Sequence, residues 1–270
     1  MRAVAGPGPG PVEPGPAAPR NGTAGRWIWI LAGLAMAMLV GTRLLMVLAH
    51  AGAPADTIAA FPQGGRLAHT MTVPQPVASL TVDSGGSPVQ ILSQKVAQVQ
   101  ITERVFPGNP GSTASAVART ASGARYTLTD PSCGNSGCSI AYTILTPPDV
   151  SVTVSSGGGP VTADGVAGPL TISSGGGTVS ATGLTSARAD VTSNGGPALL
   201  GFTTAPEAVS VSTGGGTARV NVPGGSYAVT ANSGGGPENI KVAVSPAASQ
   251  VIKVDSGGGP LSITTAPAAP

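Results

Sequence analysis

Six times between residues 156 and 260 the chain runs from a serine or threonine into a glycine cluster. The clusters are Ser156-Gly157-Gly158-Gly159-Pro160, Ser174-Gly175-Gly176-Gly177-Thr178, Ser193-Asn194-Gly195-Gly196-Pro197, Thr213-Gly214-Gly215-Gly216-Thr217, Ser233-Gly234-Gly235-Gly236-Pro237 and Ser256-Gly257-Gly258-Gly259-Pro260. Their starts are 18, 19, 20, 20 and 23 residues apart, and a diverged copy stands at Ser84-Gly85-Gly86-Ser87-Pro88. Glycine is among the worst residues for a helix interior, so a period punctuated this way excludes helical repeats. Short runs alternating apolar and polar residues flank most clusters: Val152/Val154, Leu170/Ile172, Val209/Val211, Tyr227/Val229 and Ile252/Val254 before them, Val161/Ala163, Val179/Ala181, Ala218/Val220, Ile240/Val242 and Leu261/Ile263 after them. Two strands per unit, each with one apolar face, cannot bury that face alone, so successive units must stack. The predicted fold is all-β, a β-solenoid or β-helix-like stack of units of about 20 residues. Glycine suits its corners because it reaches positive φ and lets adjacent coils approach closely. Small inward residues imply a narrow interior, consistent with a chain that is only 3% aromatic.

Composition removes other classes. Of 270 residues, 41 are Gly and 26 Pro, which disfavours a helical bundle. Only 9% are charged, against about 25% in an ordinary soluble domain. The abundance of Val, Ile and Thr argues against conventional disorder. A formal net charge of +2 with no Lys/Arg stripe gives no electrostatic basis for binding nucleic acid.

The positive excess lies near the start. Residues 1–26 hold six Pro, six Gly, Arg2, Arg20, Arg26 and one acid, Glu13, and read as a disordered leader. Residues 27–49 are apolar except Thr42 and Arg43; as a helix this stretch is about 35 Å long, enough to cross a bilayer. Trp27 and Trp29 stand at its first end, where indole rings favour headgroups, and Arg43 is near enough to the other end to snorkel. The arginines before the span predict a cytoplasmic N-terminus and an extracytoplasmic remainder. A cleaved secretory signal is the alternative, because Ala49-His50-Ala51 and Ala51-Gly52-Ala53 have the small-x-small form of a cleavage site. Beyond residue 50 the chain carries nine Lys/Arg and ten Asp/Glu, a formal charge of −1.

Residues 50–76, rich in Ala, Pro and Gly, read as a tether. The β-repeat domain is placed at 77–265 and a short tail at 266–270. Strands are expected at Leu80–Val82, Val89–Ile91 and Val96–Val105, followed by a long loop over 106–123. Arg125–Leu128 and Ser139–Ile144 alternate, and Cys133 and Cys138 lie between them, so a β-hairpin closed at its tip by a disulfide is predicted. So short a loop gains about 2 kcal/mol from the link. A redox-active pair usually has two intervening residues near a helix start, and zinc would need ligands that the distant His50 and His69 do not supply.

The order of an opening strand with a Gly turn (80–92), a charged strand (96–105), an insert, a hairpin and Thr146-Pro147-Pro148-Asp149-Val150-Ser151-Val152-Thr153-Val154 leading into Gly-punctuated repeats resembles the putative adhesin domain family. That group comprises exported or membrane-anchored bacterial β-repeat proteins. The resemblance covers about residues 77–265 and implies an envelope-associated role, with no catalytic residues to carry over.

The residues themselves offer little chemistry. None of the Gly clusters ends in the Gly-Lys-Ser/Thr of a phosphate-binding loop. Calcium β-rolls need Asp recurring after the glycines; here Asp83, Asn232 and Asp255 precede them and are expected to cap the turns. A polysaccharide lyase needs clustered acids and bases, whereas Asp164, Arg188, Asp190, Arg219 and Lys241 are scattered along the chain. No His follows His69, so Ser-His-Asp or Cys-His catalysis in the repeats has no usual base. Asn21-Gly22-Thr23 matches a glycosylation sequon on the predicted cytoplasmic side and reads as chance. The expectation is a non-enzymatic, cofactor-free, metal-free protein of the bacterial cell membrane. It would act as an adhesin-like structural or binding module whose partners are the membrane and an envelope polymer or protein. The alternative is an envelope-stress sensor signalling through its single span, and a carbohydrate-active β-helix enzyme stands last.

Overall fold

The computed structural model describes residues 67–106, 117–130 and 139–266. The leader, the span at 27–49, Cys133, Cys138 and the last four residues lie outside them. Among the described residues there is no helix, and so none long and apolar enough to cross a membrane. The strands before the repeats are β1 (Leu67–Thr72), β2 (Ser79–Asp83), β3 (Val89–Ser93), β4 (Gln100–Phe106), β5 (Ala118–Ser122), β6 (Arg125–Thr129) and β7 (Ser139–Thr146). The repeats supply β8 (Ser151–Ser156), β9 (Val161–Asp164), β10 (Leu170–Ser174), β11 (Val179–Leu184), β12 (Arg188–Ser193), β13 (Ala198–Phe202) and β14 (Ala208–Thr213). They continue with β15 (Ala218–Val222), β16 (Ser226–Asn232), β17 (Glu238–Lys241), β18 (Ala243–Val244), β19 (Val251–Asp255) and β20 (Leu261–Thr265).

These form two ten-stranded sheets. The first runs β1-β4-β7-β3-β9-β11-β13-β15-β20-β17, the second β18-β16-β19-β14-β12-β10-β8-β2-β6-β5. Strands entering a glycine cluster lie in the second sheet and strands leaving it lie in the first, so each unit gives one strand to each sheet. Neighbouring units pair parallel and in register. Val152, Leu170, Ala189, Val209 and Ile252 form one apolar row. Val161, Val179, Ala198, Ala218 and Leu261 form another. Both rows are buried in one continuous core. Period-2 alternation produces this because one residue in two points inward on every strand. Mid-stack the inward residues are mostly Val, Ala, Ile and Leu, as a narrow interior requires. The buried tyrosines sit nearer the ends, Tyr126 and Tyr142 on β6 and β7 and Tyr227 on β16. Burial raises all three phenols above their ordinary pKa of 10.0. For Tyr142 the neighbouring Asp130 carboxylate adds to the effect.

The stack departs from chain order at its ends. β19 lies between β14 and β16, and β20 between β15 and β17, so the sixth unit is inserted between the fourth and the fifth. The 23-residue spacing before this unit supplies the extra chain, used by β18 and the following turn. Likewise β2 sits between β8 and β6, and β3 between β9 and β7.

Three expectations for the first third of the domain are corrected. The tether predicted over 50–76 contains β1, an edge strand paired antiparallel with β4, so the domain begins by residue 67. It escaped notice because an exposed edge strand needs no apolar alternation. The loop expected over 106–123 contains β5, and the hairpin is β5–β6, turning at Gly123. Arg125–Leu128 and Ser139–Ile144 are not hairpin partners: β6 belongs to the second sheet and β7 to the first, where it pairs with β3 and β4. Each segment has its apolar alternation satisfied by a different sheet, which local spacing alone does not reveal.

Glycine is required for two separate reasons. In the clusters at 84, 233 and 256 the first glycine has positive φ, 60° at Gly85, 63° at Gly234 and 59° at Gly257. There Asp83, Asn232 and Asp255 accept a hydrogen bond from its amide at 3.4, 3.1 and 3.0 Å, as expected of turn caps. The clusters at 156, 174 and 193 have no positive-φ glycine. Their last glycines, Gly159, Gly177 and Gly196, stack on the backbone of the neighbouring coil, and a Cβ on any of them would collide with its carbonyl oxygens. The serine or threonine that opens each cluster is buried beneath the turn. Ser156, Ser174 and Ser256 donate from their hydroxyls to the carbonyls of Gly159, Gly177 and Gly259 at 2.9, 3.2 and 2.6 Å. Thr213 does the same to Gly216 at 2.7 Å. These four hydroxyls thereby satisfy turn carbonyls that neither sheet ladder reaches.

Candidate functional site

Because inward and outward residues alternate, in-register stacking also aligns the outward ones. On the second sheet, the residue three positions before each cluster's Ser or Thr falls into one row: Thr81, Thr153, Thr171, Asp190, Ser210, Lys253 and Thr230. The next row toward the turns is Asp83, Ser155, Ser173, Thr192, Ser212, Asp255 and Asn232. Parallel strands lie about 4.8 Å apart, so each row is a ladder of small polar groups at that spacing.

The ladder is charged at Asp190 and Lys253, and there the surface forms a groove of about 560 Å³. Its walls and floor come from Thr171 on β10, Arg188 and Asp190 on β12, Ala208 and Ser210 on β14, and Val251 and Lys253 on β19. Asp190 and Lys253 flank Ser210 from the two neighbouring strands. Two strand spacings place their backbones about 10 Å apart, wide enough for a ligand group between them. At the rim, Arg188 is 3.7 Å from Glu207, with both side chains largely exposed. Such a pair adds little stability and is free to exchange partners.

The groove thus holds an acid, two bases, hydroxyls and apolar ground. It is equipped to bind a polar, weakly charged chain, and it lacks the imidazole or thiolate from which a nucleophile-base pair is usually built. No group of three His, Cys, Asp or Glu among the described residues could hold a metal ion.

The fold gathers only part of what was scattered in sequence. Arg188 and Asp190 share the groove. Asp164 instead accepts the Thr182 hydroxyl at 2.9 Å on the first sheet, Arg219 projects outward from β15, and Lys241 ends β17. His69 is exposed on β1. Cys133 and Cys138 are outside the described residues. Lys253, Thr171 and Ser210 were not singled out from sequence, although aligning the repeats on their glycine clusters puts all three at one position with Asp190. The insertion of β19 beside β14 then carries Lys253 into the site.

A second polar cluster closes the β1/β5 end of the core. Glu103 on β4 is buried and opposes Tyr142 across the β4–β7 pair. One guanidinium nitrogen of Arg119, on β5 of the other sheet, donates to both its carboxylate oxygens at 2.6 Å. The nearby Asp130 carboxylate, also buried, accepts the Ser87 hydroxyl at 2.6 Å. The Glu103–Arg119 and Ser87–Asp130 pairs form a polar plug that links the two sheets.

No family model and no curated protein matches the chain. Among solved structures, a putative cell adhesion protein from Clostridium sporogenes is similar with a TM-score of 0.46 at 13% identity, over 74% of this chain and 99% of that one. A putative adhesin from Bacteroides fragilis is similar with a TM-score of 0.38 at 15% identity, over 74% of this chain and 98% of that one.

Proposed function

We propose that this protein is a membrane-anchored, extracytoplasmic binding module of the bacterial cell envelope, adhesin-like and without catalytic activity. Its β-repeats form a solenoid that holds the outer face of the second sheet toward a polymer of the envelope or of another cell. The observation that carries this reading is the in-register ladder of small polar residues with the Arg188, Asp190 and Lys253 groove at its centre. A rigid parallel stack repeats the same functional groups at fixed intervals, which suits a ligand that also repeats. The single span predicted at 27–49, with the arginines ahead of it, would hold the domain outside the membrane.

The test is retention of the purified chain on cell-wall polysaccharide and on whole cells. Ser210→Arg, which fills the groove with a long cation, should weaken retention at least tenfold while leaving the circular dichroism spectrum unchanged. Arg219→Glu, on the outward side of the first sheet, should bind as the unmodified chain does. If Ser210→Arg retains full binding, or Arg219→Glu is the damaging change, the groove is not the contact surface.

A further inference from the structure

Of the six glycine clusters, the one at 193 departs from the rest: Asn194 stands where the others carry their first glycine. In the column it joins, a Cβ on Gly175 or Gly214 would collide with the backbone of the neighbouring coil. The turn is also tied down less firmly than those on either side. The Asn194 amide donates to the Ser174 carbonyl at 2.9 Å, and the Ser193 carbonyl accepts the Gly214 amide at 2.8 Å. Beyond that point the ties stop. In the flanking coils the middle glycines are held, the Gly176 amide by the Ser174 hydroxyl at 3.4 Å and the Gly215 amide by the Ser256 carbonyl at 3.0 Å. Neither the Asn194 carbonyl nor the Gly195 amide has a hydrogen bond among the described residues. Ser193 does not secure the turn from beneath either. Its buried hydroxyl has no partner among the described residues, whereas those of Ser174 and Thr213 hold the carbonyls of Gly177 and Gly216. Asn194 and Gly195 are both exposed.

We propose that Asn194 is a self-modification site, converted in the folded chain to aspartate or isoaspartate through a cyclic imide formed with Gly195. The reaction needs a side-chain carboxamide followed by a residue whose amide nitrogen is free, and glycine has no side chain to obstruct it. That nitrogen gives its proton to solvent base and attacks the Asn194 side-chain carbonyl carbon. The new C–N bond closes a succinimide ring, and the bond to Nδ2 breaks. Ammonia leaves after taking a proton from solvent, and nothing is oxidised or reduced. Water then opens the imide. Addition at the side-chain carbonyl restores the main chain with an aspartate; addition at the main-chain carbonyl leaves isoaspartate, with the chain diverted through Cβ and Cγ. Either product carries a carboxylate that is ionised at neutral pH. The new negative charge falls at the turn directly after β12, on the sheet that bears the polar ladder. The charge of that sheet edge therefore changes with the age of the chain.

Timed incubation of the detergent-solubilised full chain at mildly alkaline pH, followed by tryptic mass spectrometry, tests this. Cleavage after Arg188 and Arg219 releases a peptide in which Asn194 is the sole amide side chain. Its conversion to the acid form should rise with incubation time above the level of the zero-time digest, giving aspartate and isoaspartate forms that chromatography separates. Gly195→Ala should slow the conversion at least tenfold, because a methyl group then shields the nitrogen. The added Cβ meets nothing within 4 Å, so the circular dichroism spectrum should not change. An Asn194 that stays an amide in the folded chain yet converts in urea overturns the proposal, since the fold would then protect the turn. So does an Asn194 that converts in neither state, and so does an undiminished rate in Gly195→Ala, which would exclude the imide.

Discussion

Gly177→Ala is expected to destabilise the domain by about 3 kcal/mol or more, while Gly176→Ala, one residue away, changes stability by no more than about 0.5 kcal/mol. A Cβ on Gly177 would fall far inside contact with the carbonyl oxygens of Gly158 and Gly159, whereas one on Gly176 meets nothing within 4 Å. Overpacking costs about 1–3 kcal/mol where side chains can yield, but here the obstacle is the backbone of the adjacent coil. That backbone is tied into the stack: the Gly175 amide bonds to the Ser156 carbonyl at 2.8 Å, and the Val179 amide to the Pro197 carbonyl at 2.9 Å. Relief would require separating the coils. Urea unfolding of the two variants measures the difference, and equal effects at both positions would mean that close approach is not what selects glycine here.

Arg119→Met is expected to cost about 3 kcal/mol, because it strands the Glu103 carboxylate in the core. The arginine side chain is 30% exposed and the glutamate 8%, so the carboxylate bears most of the penalty. Replacing both, Glu103→Leu with Arg119→Met, should be less harmful than Arg119→Met alone, since no charge is then left without its partner. Thermal unfolding of the two variants distinguishes the outcomes. A harmless Arg119→Met would show that water reaches Glu103 and that the plug does not join the sheets.

The repeats made the two-sheet architecture legible because glycine marks each corner and period-2 alternation marks each strand between. Asp83, Asn232 and Asp255 were readable as turn caps for a similar reason: a short acceptor directly before a glycine acts on its own neighbours. What composition and alternation do not announce are features settled by pairing. β1 and β5 are exposed edge strands that exist because β4 and β6 offer them partners, and nothing in their own composition announces it. The pairing of Arg125–Leu128 with Ser139–Ile144 is the natural local inference, yet Arg125–Leu128 pairs with β5 just before it and with β2, and Ser139–Ile144 pairs with β3 and β4 tens of residues away. Positive φ explained fewer glycines than expected, because the contact that excludes a side chain at Gly159, Gly177 or Gly196 belongs to the neighbouring coil. The groove was half legible: Arg188 and Asp190 were noticed as isolated charges, but only the insertion of β19 beside β14 adds Lys253.

That insertion builds the groove, and disulfide trapping tests it directly. In a chain with Cys133 and Cys138 changed to Ser, Ser212→Cys with Asp255→Cys places the two thiols on directly paired, outward-facing positions of β14 and β19. Mild oxidation should link them within one chain, because adjacent parallel strands meet the Cα separation of about 5 Å that a disulfide needs. Ser212→Cys with Asn232→Cys, two strands apart, should stay reduced. Linkage of Ser212→Cys to Asn232→Cys and not to Asp255→Cys would mean that the units stack in chain order, and would contradict this assembly of the site.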